Sequence, residues 1–223
     1  NESAEKPSAA SSDTVAKDSS PATTAAAGSR DNTPIVLTGS ADGTVTYGND
    51  SVTVDASHTE EGYLMVSYSG SNSKVKLQIT GSDEITYTYN LHDGYETFPL
   101  TSGSGSYTVG VFENIEGTSY STLFTQAIDV TIQDEFGPYL YANQYVNFSA
   151  DSKVISKAME LSASANDDLE VIENVYNYII TNFTYDYDKA ASVQSGYLPD
   201  VDKVFTENTG ICFDYAAVMA TML

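Results

Sequence analysis

The stretch Glu207-Asn208-Thr209-Gly210-Ile211-Cys212-Phe213-Asp214-Tyr215-Ala216-Ala217-Val218-Met219-Ala220-Thr221-Met222-Leu223 reads as a turn that runs straight into a helix. Glu207 to Gly210 is a turn signal, and the run after it is rich in strong helix formers with no Gly, Asn or Pro to stop it. Cys212 therefore falls on the first turn of that helix. It is the only cysteine of the chain, so no intramolecular disulfide can form. A lone cysteine is most often a buried structural thiol, but the surroundings of Cys212 suit a reactive one. Thiolate, not thiol, attacks a carbonyl. Unpaired N–H groups and the helix dipole favour an anion at a helix start, and the same N–H groups stabilise the oxyanion of a tetrahedral intermediate. Gly210, just ahead, lets backbone and substrate approach closely. Cys212 is thus the candidate catalytic nucleophile.

Outward from this motif, Leu169, Ile172, Val175, Tyr176, Ile179, Ile180 and Phe183 recur at helical spacing. They predict an amphipathic helix over about 168–183 whose stripe is core. Asp167 with Glu170 has the form of a capping box at its start. An earlier helix is predicted over 151–164, carrying Val154, Ile155, Ala158, Met159 and Leu161. Tyr185 to about Asp200 reads as loop, followed by a short helical piece around Val201–Phe205. Asp186 with Asp188, and Asp200 with Asp202, alternate in a way that could suggest calcium. Neither pair has the glycine and terminal Glu of an EF-hand loop, so both read as solvated acidic loops. No metal and no cofactor is expected.

Before residue 135 the period is two instead. Val75, Leu77 and Ile79 fall on one strand face, as do Ile85, Tyr87, Tyr89 and Leu91. Tyr107, Val109 and Val111 repeat the pattern, and so do Ile128, Val130 and Ile132. Segments around Val45–Val54 and Tyr63–Tyr68 are also strand-like. Turn clusters at Gly48-Asn49-Asp50, Gly70-Ser71-Asn72, Gly81-Ser82-Asp83 and Ser102-Gly103-Ser104-Gly105 stand between them. Short strands with turns at this spacing predict an antiparallel β-sandwich, Ig-like in the loose sense, over 35–134. The many Tyr residues are strand-packing residues by preference. His58 and His92 lie in this region and read as surface or turn residues.

Residues 1–34 are mostly Ser, Thr, Ala, Pro and Gly, with no aromatic residue. Such a stretch cannot bury enough apolar surface to offset its ordering entropy, and reads as a disordered spacer. The formal charge of −22, from 31 acidic and 9 basic residues, argues against nucleic acid or an anionic membrane as partner, because phosphate binding needs clustered Lys and Arg. No run approaches the roughly 18 apolar residues of a membrane helix. The chain begins at Asn1, which suggests a removed leader. The spacer resembles that of secreted bacterial lipoproteins, implying an extracellular, cell-surface location through an N-terminal lipid anchor.

Thr209-Gly210-Ile211-Cys212-Phe213-Asp214-Tyr215-Ala216 resembles the nucleophile motif of the transglutaminase-like superfamily: Gly, any residue, Cys, any residue, an acidic or small residue, an aromatic, then a small residue. The upstream order is similar too, with an amphipathic helix ending in Tyr185-Asp186, a loop and a short helix. The resemblance covers roughly 138–223, and implies an α+β chain in which 135–223 is the helical first half of a papain-like core. It implies Cys212 as nucleophile of a Cys-His-Asp triad, acting on a protein or peptide amide through a thioester. The family's His and Asp sit on strands further downstream, whereas no His occurs among the 11 residues after Cys212. The expectation is a truncated chain whose uncovered apolar helix faces pack by chain exchange, in an oligomer, or within a larger molecule. Cell-wall peptide is one candidate substrate. The alternative is a noncatalytic surface protein that binds glycan or protein through its β-sandwich and carries a vestigial transglutaminase-like region.

Overall fold

A computed structural model of the protein describes residues 28–223. The lipid anchor and most of the spacer expected over 1–34 lie outside the described residues. Residues 28–32, at the spacer's end, are bonded to the turn at residues 163–168. Gly28 N–H donates to Ala163 O (3.2 Å), Arg30 Nε pairs with Asp168 Oδ1 (2.6 Å), and Asn32 Nδ2 donates to Ala165 O (3.1 Å). The chain then forms a short strand β1 (Leu37–Thr38).

Eight strands follow: β2 (Thr46–Gly48), β3 (Val52–Asp55), β4 (Tyr63–Tyr68), β5 (Val75–Thr80), β6 (Thr86–Leu91), β7 (Gly94–Pro99), β8 (Gly105–Glu116) and β9 (Ser119–Val130). They make two four-stranded antiparallel sheets, ordered β2-β3-β4-β7 and β6-β5-β8-β9. Alternation decides what each strand buries. In β5, Val75, Leu77 and Ile79 point inward while Lys76, Gln78 and Thr80 face out. Val54, Leu64, Val66 and Phe98 of the first sheet meet Leu77, Tyr107, Val109 and Val111 of the second in one core. The period-two reading holds for β5 and β8 but is half right for β6. Tyr89 and Leu91 are buried, whereas Tyr87 and the preceding Ile85 are exposed, because β6 is an edge strand whose first half lies beyond the core.

The connection out of the sheets runs through β10 (Tyr141–Ala142), which pairs in parallel with β1. Entry to and exit from the two-sheet unit therefore lie side by side.

The C-terminal part is helical: α1 (Lys153–Ser162), α2 (Asp168–Asn182), α3 (Tyr187–Ser192), α4 (Val201–Glu207) and α5 (Cys212–Met222), with two short strands, β11 (Thr184–Tyr185) and β12 (Thr209–Gly210). Asp167 caps α2 by accepting from Glu170 N–H (2.9 Å). Glu170 reaches back one residue further than a capping box requires, to Asn166 N–H (2.8 Å). Val154, Val175, Ile179, Val204, Val218 and Met222 share a second core. The α2 stripe is only partly buried. Of its residues Val175, Ile179 and Phe183 pack inward, joined by Val171 from outside the predicted stripe, whereas Leu169, Ile172, Tyr176 and Ile180 are exposed. A stripe this wide spans more of the circumference than α1, α4 and α5 cover. No helix among the described residues is long and apolar enough to cross a membrane.

Candidate active site

Cys212 is the first residue of α5 and is exposed to solvent, so the sequence reading of a helix start at this position holds. Three local devices set the position of that helix start. α4 ends at Asn208 in the left-handed conformation (φ 51°, ψ 37°), which turns the chain back toward Cys212. The next two residues, β12, pair in parallel with β11, so that Thr184 N–H donates to Asn208 O (2.9 Å) and Asp186 N–H to Gly210 O (2.9 Å). Finally, Ile211 is extended at the N-cap position (φ −97°, ψ 176°), and its N–H donates to Asp214 Oδ2 (2.8 Å). The N–H groups of the first helical turn have no carbonyl of their own helix to bond, which leaves donors beside the thiol that suit a developing oxyanion.

Asp214 is the buried centre of this arrangement, with no exposure at all. Besides Ile211 N–H, it accepts from Lys189 Nζ (2.6 Å) and Tyr197 Oη (2.5 Å), and Lys189 Nζ also donates to Tyr197 Oη (2.6 Å). Burial opposes ionisation of this carboxyl, but the hydrogen bonds from Lys189, Tyr197 and Ile211 outweigh it and hold the pKa below the usual carboxylate value. A buried carboxylate with a cation and two further donors is a satisfied group. It anchors the start of α5 to Lys189 of α3 and to Tyr197 of the α3–α4 loop. In the sequence Asp214 stands out only as part of the motif, and neither Lys189 nor Tyr197 carries a signal of its role. The signal available was that Asp214 is the only charged residue from Ile211 to Leu223.

Gly210 has a reason different from the one its sequence context suggested. A Cβ there would stand 2.7 Å from Asp214 Cβ and 2.8 Å from Asp214 Oδ2. The missing side chain makes room for the carboxylate.

One acidic residue of each pair, Asp186 and Asp200, is a helix cap. Asp186 accepts from Lys189 N–H at the start of α3 (2.8 Å), and Asp200 from Lys203 N–H at the start of α4 (3.0 Å). Asp202 accepts from Val154 N–H (3.3 Å) and so ties α4 to α1. Among the described residues no group of three His, Cys, Asp or Glu side chains is placed to hold a metal ion.

The two histidines are engaged elsewhere. His58 Nε2 lies 3.0 Å from Asp42 Oδ2 and Nδ1 lies 3.3 Å from Glu61 Oε1; burial works against its charged form, but these two partners outweigh it and raise the pKa. His92 Nδ1 is 3.0 Å from Glu96 Oε1. A cleft of about 290 Å³, lined among others by Thr38, Tyr95, Thr97, Gln144 and Phe148, lies where β1 and the 141–148 connection cross the first sheet, and Cys212 is not part of its lining.

One turn beyond the thiol, Tyr215 packs edge-on against Phe183 (5.6 Å) and Tyr185 (6.2 Å), and its buried hydroxyl has no hydrogen-bond partner among the described residues. A buried, unpaired hydroxyl costs about 1–3 kcal/mol. Tyr215→Phe is therefore expected to raise stability by about 1 kcal/mol in chemical denaturation; a loss of stability would show that the hydroxyl has a partner.

Residues 155–223 match the family model of the transglutaminase-like superfamily, consistent with the resemblance of the motif around Cys212. No curated protein matches the chain.

Proposed function

We propose that the protein is a transglutaminase-like thiol enzyme in which Cys212 is the nucleophile toward a protein or peptide amide. The thiolate sulfur bonds to the carbonyl carbon, the carbonyl electrons move onto oxygen, and the tetrahedral intermediate collapses with loss of ammonia or an amine to leave a thioester. An amine then resolves the thioester to a crosslink, or water resolves it by deamidation or hydrolysis. The first N–H groups of α5 face the developing oxyanion. By resemblance to the superfamily, a histidine would take the thiol proton and return it to the leaving group, with an Asp orienting that histidine. Neither His58 nor His92 bonds to Cys212, and both keep their carboxylate partners in the β unit.

One observation carries this reading: the chain's only cysteine stands exposed at the first residue of a helix, within the segment that matches the superfamily. The strongly acidic composition and the Ser/Thr/Ala-rich N-terminal stretch support an exported protein tethered at the cell surface, with the two sheets as an Ig-like sandwich beside the enzyme part. Because Cys212 is the sole thiol, iodoacetamide labelling followed by mass spectrometry reports on one site. At neutral pH the expected rate is about ten-fold above that of a free cysteine, whose pKa is about 8.5. A rate no greater than that of free cysteine overturns the assignment of an activated thiol to this chain.

A further inference from the structure

Next to Cys212, Phe213 turns away from the helical core and meets the two-sheet unit. Its ring centroid lies 5.9 Å from that of Tyr145, which follows β10, and the two planes are inclined by 51°. Tyr145 in turn lies 5.7 Å from Tyr89 of β6, and Tyr89 stands edge-on to Phe98 of β7 at 5.0 Å. Tyr89 and Phe98 are buried in the core between the sheets. On its other side Phe213 meets the Tyr197 ring edge-on at 6.4 Å, and Tyr197 donates to Asp214. A continuous run of aromatic rings therefore leads from the sheet core to the second residue of the nucleophile helix.

A second contact runs parallel to it. Gly196, just before Tyr197, has a left-handed backbone (φ +88°), and a Cβ there would come within 2.8 Å of Asn90 Nδ2 in β6. Asn90 is itself held, its carbonyl accepting from Gln144 Nε2 (3.2 Å) and its Oδ1 from Lys76 Nζ (2.5 Å). The loop that delivers Tyr197 to Asp214 thus rests on the same edge strand that supports Tyr145.

We infer that Tyr145 is a positioning residue for Cys212: it joins the first turn of α5 to the sheet core, so the two-sheet unit is a working part of the nucleophile's site and not only a spacer beside it. This rests on the reading of Cys212 as the nucleophile. The Asp214 hydrogen bonds restrain α5 from the helical side, and the Tyr145–Phe213 contact restrains it from the sheet side. Cys212 lies between Ile211 and Phe213, so its sulfur and N–H keep one orientation only while both restraints hold. Ring packing supplies the second, since aromatic pairs at these separations prefer tilted and edge-on geometry, and small displacements of a reacting group are expensive in rate.

The test uses the full chain with Tyr145→Ala and Tyr145→Phe, reading iodoacetamide labelling of Cys212 and hydrogen exchange by residue. Tyr145→Ala is expected to slow labelling about five-fold and to speed exchange at 215–218, where the helical N–H groups are bonded, while protection in β5 and β8 is retained; Tyr145→Phe keeps the ring and is expected to match the parent. Unchanged labelling and α5 exchange in Tyr145→Ala overturns the proposal. So does loss of protection confined to the sheets, which is what a purely structural Tyr145 would give. If Tyr145→Ala does not fold by circular dichroism, Tyr145→Leu, which keeps apolar bulk without the ring, carries the same comparison. Slow labelling of the parent itself overturns the nucleophile reading instead, and the exchange comparison still decides the role of Tyr145.

Discussion

Asp214→Ala is expected to destabilise the protein by about 3 kcal/mol, because it leaves the half-buried Lys189 ammonium without its counter-charge and Ile211 N–H without an acceptor. Lys189 retains 26% side-chain exposure, so water compensates part of the loss and the effect sits at the low end for a broken buried pair. The linkage sign follows from the depressed pKa of Asp214. Its contribution is complete above the unfolded carboxyl value near 4 and is lost as pH falls through the lower, folded value. Denaturation curves at pH 7 and at pH 3 should therefore separate parent and variant widely at the first and less at the second. The same stability gap at both pH values would show that the carboxylate charge contributes nothing.

Gly210→Ala is the second large effect, expected at about 2–3 kcal/mol. The new methyl group would come 2.7 Å from Asp214 Cβ, closer than side-chain carbons approach, so either β12 or the start of α5 must move. Both position Cys212, and its labelling should slow together with the loss of stability. Since the two substitutions disturb one contact, their combined cost in a double-mutant cycle should fall below the sum. Full additivity would mean that the contact with Asp214 Cβ, which Asp214→Ala keeps, and not the contact with the carboxylate, sets the cost of Gly210→Ala.

The helix bearing Cys212 was legible because a turn signal and a run of helix formers fix a helix start from local residues alone. The sheets were legible for the same kind of reason: Val75, Leu77 and Ile79 alternate with polar residues, and alternation needs no tertiary knowledge. β7, with Tyr95, Thr97 and Phe98, escaped notice because Gly94 and Pro99 bracket a short mixed run. α3 lies where the sequence predicts loop, because six residues in an acidic, polar context give no period; its start depends on the Asp186 cap. The Lys189–Tyr197–Asp214 network joins residues 17 and 25 positions apart, a distance only the fold closes. The α2 stripe shows a different limit. Its period predicts the helix, but Leu169 and Val171 are both apolar, and nothing in the spacing says which one the neighbouring helices reach.

The parallel pairing of β1 with β10, together with the docking of residues 28–32 on the α1–α2 turn, has a mechanical consequence. A pull applied to the chain ahead of residue 28 is first met by bonds to Ala163, Asn166 and Asp168, and then by β1 sliding along β10. Both sets of bonds hand the load to residues after the sheets. The stretch from β2 to β9 therefore hangs as a side loop outside the path of tension, and its strands would remain folded until the clamp at residues 28–38 had parted.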